Sequence, residues 1–391
     1  MRYLLLRLKR FSGFIVGFVF FISGLLKLMD PVGAGLVMKE YYDFLHMGFM
    51  GFSSKFTGAA FALAETIVGA GLITGVWRKT IALAAVILQG FFTLLTLFLV
   101  IFNPEMDCGC FGEAIHLTHR QTFIKNIILL AMLLAYYLPK KHLGQTTRKK
   151  YVSFGLVTVS VVAFTVYSWI YIPLTDYTAY KPGRQLTIGS ESDTDETYES
   201  VFIYEKDGVR ETFTLGHLPD TTWKFISTET RIIDGKEDNT IGLSFYDART
   251  GEYMDELADE GKVMVISVYN TDIPEKTWKK TENFIRNAET AGFTTLLLCA
   301  TEDHIPEALS KYVFISDYKT LISLNRSNAG VTYFHDGTLI RKWADANIPN
   351  HNELHDVSAD DGTEVLIDHE SKGSLAFQGF LLYVFAVMLL L

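Results

Sequence analysis

The feature that most constrains this chain is a succession of apolar runs, each about as long as a bilayer is thick. Runs at 11–29, 54–76, 81–102, 121–139 and 152–172 follow one another across short polar joints, and a sixth covers 374–391. A helix of about 20 apolar residues crosses the ~30 Å hydrocarbon layer. Backbone polar groups in that layer find no water, so each run must satisfy its own hydrogen bonds as a helix. Core helices of a soluble protein do not come five in a row at this length. Arg2, Arg7, Lys9 and Arg10 precede the first run as they would in a signal peptide. The run is long, however, and carries no small-x-small cleavage site before Lys27, so it reads as a retained helix.

The basic residues set an orientation by the positive-inside rule. Arg2 to Arg10, then Arg78 and Lys79, then Lys140, Lys141, Arg148, Lys149 and Lys150 mark the cytoplasmic joints. The joints at 30–53 and 103–120 then face the periplasm, as does the whole of 177–370, in a multi-pass inner-membrane protein with a cytoplasmic N-terminus. The run 374–391 returns the chain. No basic tail follows it, so its direction rests on counting, and the completeness of the chain stays open. The net charge of −9 falls mostly on 177–370, which argues against a nucleic-acid partner.

That orientation puts Asp107-Cys108-Gly109-Cys110-Phe111-Gly112 on an oxidising side, where disulfides form and persist. Three readings compete for Cys108 and Cys110. A Cys-Gly-Cys disulfide closes a small strained ring, and strain makes a bond exchange-prone; glycine permits the backbone it needs. The pair can instead be a structural staple or passive thiols. As a metal site, Cys108-x-Cys110-x5-His116-x2-His119 offers four ligands, although Cys-x-Cys is tighter than the usual zinc spacing. Cys299, inside Leu296-Leu297-Leu298-Cys299-Ala300, reads as a buried small hydrophobe. His351-Asn352-Glu353-Leu354-His355 has its glutamate misplaced for a His-Glu-x-x-His protease and reads as surface. The acids of 189–196 lack EF-hand spacing. With no Walker loop, no Gly-x-Ser-x-Gly and no dinucleotide fingerprint, no cofactor is evident.

Within the runs, Gly13, Gly17 and Gly24 invite close helix packing. The segment 34–47 is amphipathic and expected at the interface. Glu65 is an ionisable side chain at membrane depth, which is costly. It is either an interhelical hydrogen-bonding group or, with Lys27, a polar site that takes a small molecule or quinone. Lys27 lies near a helix end and is expected to snorkel. Gln89, Thr93 and Thr96 supply interhelical polar contacts.

A family resemblance gathers these residues. The first run reads Arg10-x2-Gly13, then Phe21-Ile22-Ser23-Gly24-Leu25-Leu26-Lys27-Leu28-x-Asp30-Pro31. The second reads Glu65-x3-Gly69-x5-Gly75 before a basic turn, and the third-to-fourth joint carries Cys108-Gly109-Cys110-Phe111-Gly112. Over about 8–140 the chain resembles the DoxX-like membrane proteins, most closely the MauE (methylamine utilisation) branch, and in layout the Bacteroidetes type. The resemblance implies a four-helix membrane bundle, and in the MauE branch the formation or maturation of disulfides in an exported partner.

Beyond the bundle, Val201 to Phe213 alternates around Asp207-Gly208 and reads as a hairpin. From Gly242 the expected order is strand, strand, helix, strand, helix, strand, strand, ending in a hairpin at His335-Asp336-Gly337-Thr338. That order resembles a thioredoxin-like domain over 241–350. Two departures stand out. Tyr269-Asn270-Thr271-Asp272-Ile273-Pro274-Glu275-Lys276 occupies the place of the family's Cys-x-x-Cys, and Asn328-Ala329-Gly330 the place of its cis-proline. Such a domain cannot exchange dithiols alone.

The sequence therefore leads to a multi-pass α-helical membrane bundle plus an α/β thioredoxin-like exported domain. Its parts are 8–140, a fifth membrane helix at 152–172, a β-rich linker region at 177–240, the domain at 241–350 and a last helix at 374–391. The expected role is a membrane accessory for extracytoplasmic thiol chemistry or maturation of an exported or envelope protein partner. The alternative is a non-enzymatic envelope scaffold with a structural disulfide. Membrane lipid is the other partner. The client, the electron donor or acceptor, and whether any turnover occurs stay open.

Overall fold

The computed structural model describes residues 2–104, 106–138, 146–186, 198–206, 209–214, 223–232 and 240–390. The membrane part contains α1 (Arg2–Met29), α2 (Pro31–Phe44), α3 (Ser54–Thr74), α4 (Arg78–Phe102), α5 (His119–Tyr137), α6 (Arg148–Ile170) and α10 (Gly362–Leu390). Among the described residues five helical stretches, those of α1, α3, α4, α6 and α10, are long and apolar enough to cross a bilayer; the sixth expected run, 121–139, is helical as α5 but is not one of them. The surfaces of α4 and α6 stay apolar: Ile87, Leu94 and Ile101, and Val152, Val159 and Val166, are exposed at helical spacing. Rows of aliphatic side chains facing outward on consecutive helices are what a lipid-contacting surface requires.

Glycine decides how closely α1 and α3 approach. A Cβ on Gly24 would lie 2.6 Å from the Ala62 carbonyl oxygen, and one on Gly69 would lie 2.7 Å from that of Gly17. The two backbones therefore touch, as small-residue stripes allow where burial from water does not drive packing. Leu129, Leu133 and Tyr136 of α5 close one flank against Val16 and Phe20 of α1. On the other flank, Phe154, Val157 and Val161 of α6 and Phe377, Val384 and Met388 of α10 join Phe21 and Leu25 in one buried cluster. Ser153, near the start of α6, donates to the Val387 carbonyl at 2.6 Å near the end of α10, so these two helices run antiparallel.

Local signals set the helix ends. Asp30 accepts from the Gly33 N–H at 2.9 Å, and Pro31 opens α2. Gly75 ends α3 in the left-handed region, φ 71°. Thr118 and Gln121 form a reciprocal capping box at the start of α5.

The second part is a mixed sheet with helices on its faces. Its strands are β2 (Gln185–Leu186), β6 (Thr240–Ile241), β7 (Phe245–Asp247), β8 (Lys262–Val268), β9 (Thr294–Cys299), β10 (Val313–Ser316), β11 (Gly330–His335) and β12 (Thr338–Trp343). They lie in the order β6-β2-β12-β11-β8-β9-β10-β7. β8, β9 and β10 are parallel, whereas β11 pairs antiparallel with β8 and β12. β8 is central and buried on both faces, as strands in such sheets are. Met264, Ile266 and Val268 pack with Trp278 and Phe284 of α7 (Glu275–Thr290). Val263 and Val265 pack with Leu321 and Leu324 of α8 (Tyr318–Leu324).

Two sequence expectations need correction. β10 was not anticipated; Val313-Phe314-Ile315 is an apolar run of three residues before Ser316 and the α8 cap, and so short a run carries no readable period. The chain after α6 is also more than a linker. Asp176 meets Lys342 at 2.6 Å, Tyr180 donates to the Gly242 carbonyl at 2.5 Å, and Leu186 enters the sheet core. Burial opposes the Asp176 charge, yet the adjacent Lys342 ammonium and the bond from the Thr178 N–H hold its carboxyl below the usual range.

The hairpin is as expected. β3 (Tyr198–Lys206) and β4 (Val209–Thr214) pair with Lys206 opposite Val209. With β5 (Lys224–Ile232) they form a separate sheet, β4-β3-β5. The Asp207-Gly208 turn and the acidic stretch 189–196 lie outside the described residues.

Candidate functional site

The Cys-Gly-Cys segment lies at the end of the bundle that faces the α/β domain. α4 stops at Asn103 in the left-handed region, and the chain crosses to β1 (Cys110–Glu113) before α5. Gly109 and Gly112 both have φ 61°. A Cβ on Gly109 would also strike Val37 of α2, so conformation and space both require glycine there. Two side chains pin the cysteine backbones. Tyr41 of α2 donates to the Cys108 carbonyl at 3.0 Å, and Ser23 of α1 donates to that of Cys110 at 2.6 Å.

The two thiols differ in environment. Cys108 is buried with Tyr41 and Leu99, whereas Cys110 is half-buried. Burial pushes the Cys108 thiol up, and the neighbouring Thr122 hydroxyl works in the opposite direction. Cys299, fully buried in β9, is pushed up to about 12 by burial alone. All three are free thiols.

Below the segment, a cavity of about 370 Å³ opens between α1, α2, α3, α4 and α5. Phe20, Phe61, Phe91 and Phe92 supply much of its wall, and Cys108, Gly109 and Cys110 line it as well. Lys27 Nζ and Glu65 Oε2 meet at 2.6 Å inside it, their side chains 15% and 6% exposed. Lys27 thus turns inward to Glu65, with Nζ 5.6 Å from the Phe92 ring centre, and does not snorkel as expected. A buried glutamate at this depth is a stronger attraction for the ammonium than the interface. Gln89 donates to the Asn126 carbonyl at 3.0 Å, and Asn126 Nδ2 donates to Thr96 at 3.2 Å, tying α4 to α5. Thr93 bonds back to the Gln89 carbonyl of its own helix.

The α/β domain reaches this site through Arg326, in the segment after α8. Its guanidinium is 5% exposed, with Nε 2.9 Å from Asp30 Oδ2 and Nη2 2.9 Å from Glu113 Oε1. One buried side chain therefore links the domain to the start of α2 and to the strand that carries Cys110. Burial opposes its charge, and the Asp30 and Glu113 carboxylates more than compensate. Beside it, Asn328 accepts from the Asn270 N–H at 3.0 Å and donates to the Asn270 carbonyl at 2.7 Å. Tyr269 donates to the Arg326 carbonyl at 3.3 Å. The loop after β8 and the loop before β11 are thereby tied together, and both border a space of about 170 Å³ shared with Asp30, Lys55 and Trp169.

The histidines do not gather at the cysteines. His119 contacts the Met106 carbonyl at 2.9 Å and Asn103 at 3.3 Å, and His116 pairs with Asp107 at 3.3 Å. Among the described residues, no group of three or more His, Cys, Asp and Glu side chains is placed to hold a metal ion. His351 and His355 are exposed on α9 (His351–Ala359), where Glu353 completes the Asn350 capping box.

Sequence reasoning brought out Cys108, Cys110, Lys27 and Glu65, and the structure lines one cavity with all four. It missed Ser23, Tyr41, Asn126 and Arg326. Asn126 had a signal, an amide inside an apolar run. Arg326 had none, because its partners lie 296 and 213 residues away.

These features define a multi-pass α-helical membrane protein with a mixed α/β domain seated on one end of its bundle. Residues 4–139, which span α1 to α5, match the family model of the methylamine utilisation protein MauE, so the membrane part is MauE-like. Residues 198–235 match a family described as a domain of unknown function, DUF8463. No curated protein and no solved structure matches the chain.

Proposed function

We propose that this protein is an inner-membrane accessory for extracytoplasmic thiol chemistry, in which Cys108 and Cys110 exchange with a dithiol or disulfide of an exported partner. The observation that carries this reading is the position of Cys110. It is half-buried at the mouth of the bundle cavity, on a strand held by Arg326 of the α/β domain. The environments suit divided roles: the reachable Cys110 forms the mixed disulfide with the partner, and the buried Cys108 is the thiol released when a partner dithiol attacks and the resolving thiol in the reverse direction. The positive-inside count supports an extracytoplasmic site. Strand order β9-β8-β11-β12 supports a thioredoxin-like reading of the domain, with Tyr269–Pro274 and Asn325–Ala329 where such a fold grips polypeptide. Lacking its own Cys-x-x-Cys, the domain acts as a holder beside the bundle's dithiol.

Replacing both cysteines by serine should leave the exported partner in an altered disulfide state, read by mass tagging of thiols in intact cells. An unchanged partner sinks the proposal. The second reading is an envelope scaffold, favoured by the close fixing of both cysteine backbones by Tyr41 and Ser23. A tag pattern at Cys108 and Cys110 that ignores redox conditions would select it.

A further inference from the structure

Thiol exchange with a partner leaves the Cys108–Cys110 pair reduced once a partner dithiol has been oxidised. Another oxidant must then restore the pair. The cavity beneath it is built for a ligand of restricted chemistry. Its volume of about 370 Å³ falls within the range of small-molecule sites. Its wall is mostly aromatic and aliphatic, so it suits a flat apolar ring. Phe61 and Phe91 stack there at 5.7 Å, and Phe91 is 46% exposed on the surface of the bundle, which places that wall beside the lipid. A ligand dissolved in the membrane can therefore reach it.

The polar groups narrow the class further. An acyl chain would gain nothing from a buried ammonium–carboxylate pair, and such a pair is expensive at membrane depth. Lys27 and Glu65 meet inside the cavity, and Cys108, Gly109 and Cys110 border the same space. A ligand in it touches a hydrogen-bond donor, a proton acceptor and a dithiol at once.

We propose that this cavity binds a lipid-soluble quinone, which takes the electrons of the Cys108–Cys110 dithiol. The inference rests on the thiol-exchange reading above. The chemistry balances within the site. Joining the two sulfurs releases two protons and two electrons. The quinone accepts both electrons and two protons and leaves as the hydroquinone. The Glu65 carboxylate accepts the two thiol protons one at a time; each time, Lys27 delivers its own proton to a quinone oxygen and is reprotonated by Glu65. The cysteine nearer the partner and the ring beneath the loop thus exchange electrons without the ring leaving the membrane.

The test uses the full chain in lipid nanodiscs, with a short-tailed azidobenzoquinone as the probe. Photolabel should enter peptides of α1, α3 or α4 in the wild type. Leu95 of α4 also lines the cavity, and labelling should fall at least tenfold in Leu95→Trp, whose ring fills it. Should Leu95→Trp fail to fold, Lys27→Met/Glu65→Gln removes both charges together and should weaken labelling by a similar factor. In the reduced wild type, one quinone should be consumed for every two thiols lost. Labelling confined to lipid-facing positions and unchanged in these variants would overturn the quinone site alone, leaving partner exchange intact. A labelled cavity with no thiol loss would sink the electron transfer to the ring, whereas an unchanged partner disulfide state in Cys108→Ser/Cys110→Ser is what sinks the thiol reading.

Discussion

At the scale of single residues, the three cysteines share a chain but not a chemistry. Reaction requires the thiolate, so burial without a compensating charge silences a thiol at neutral pH. Cys299 is pushed up to about 12, whereas Cys110 is half-buried. At pH 7.5 a maleimide should label Cys110 first and Cys108 slowly, and should leave Cys299 unmodified until the protein is denatured; peptide mass mapping reads the order. Thr122→Val removes the polar hydroxyl beside Cys108, so the Cys108 thiol should move further up and its labelling should need a more alkaline pH. Gly109 was readable from the motif, since so tight a loop asks for glycine. That its missing side chain also makes room for Val37 was not, because Val37 lies on another helix.

At the scale of elements, packing rests on a few close approaches and one buried pair. Gly24→Leu would drive a side chain into the Ala62 carbonyl and separate α1 from α3. The expected outcome is a lower melting temperature in detergent and loss of the cavity between them. Lys342→Met leaves the Asp176 carboxylate buried without its counter-charge, and breaking such a pair costs about 3–5 kcal/mol. The sign of the pH effect follows from Asp176, whose folded value lies below its unfolded one. Its stabilisation is present above the ordinary carboxylate value of about 4 and is lost as pH falls through the lower folded value. Acid unfolding followed by circular dichroism should therefore flatten at its low-pH end in Asp176→Asn/Lys342→Met.

Helix positions were legible at this scale because about 20 apolar residues in a row admit one solution in lipid. The short strands were not. β10 and the two-residue strands β2 and β6 are set by the edges they pair with, and no period survives in so few residues.

At the scale of the whole molecule, Arg326 joins the two parts. Arg326→Met leaves Asp30 and Glu113 without their shared cation, and about 3–5 kcal/mol of loss is expected for a buried pair broken on one side. The measurable consequence is a looser domain: faster maleimide labelling of Cys110 and faster proteolysis after residue 172, with the bundle still folded. In a double-mutant cycle, Glu113→Gln should couple to Arg326→Met, because both act on one contact.

The sequence by itself determined five of its six expected membrane helices, the glycine stripe, the isolation of the dithiol in a joint and the absence of a Cys-x-x-Cys from the α/β domain. Each of these follows from local composition or from the spacing of neighbours in the chain. Only the tertiary structure decided that Lys27 turns to Glu65, that both share a cavity with Cys108 and Cys110, and that Arg326 spans to Asp30 and Glu113. Those contacts join residues far apart in the chain, and an ion pair leaves no trace in the sequence around either partner.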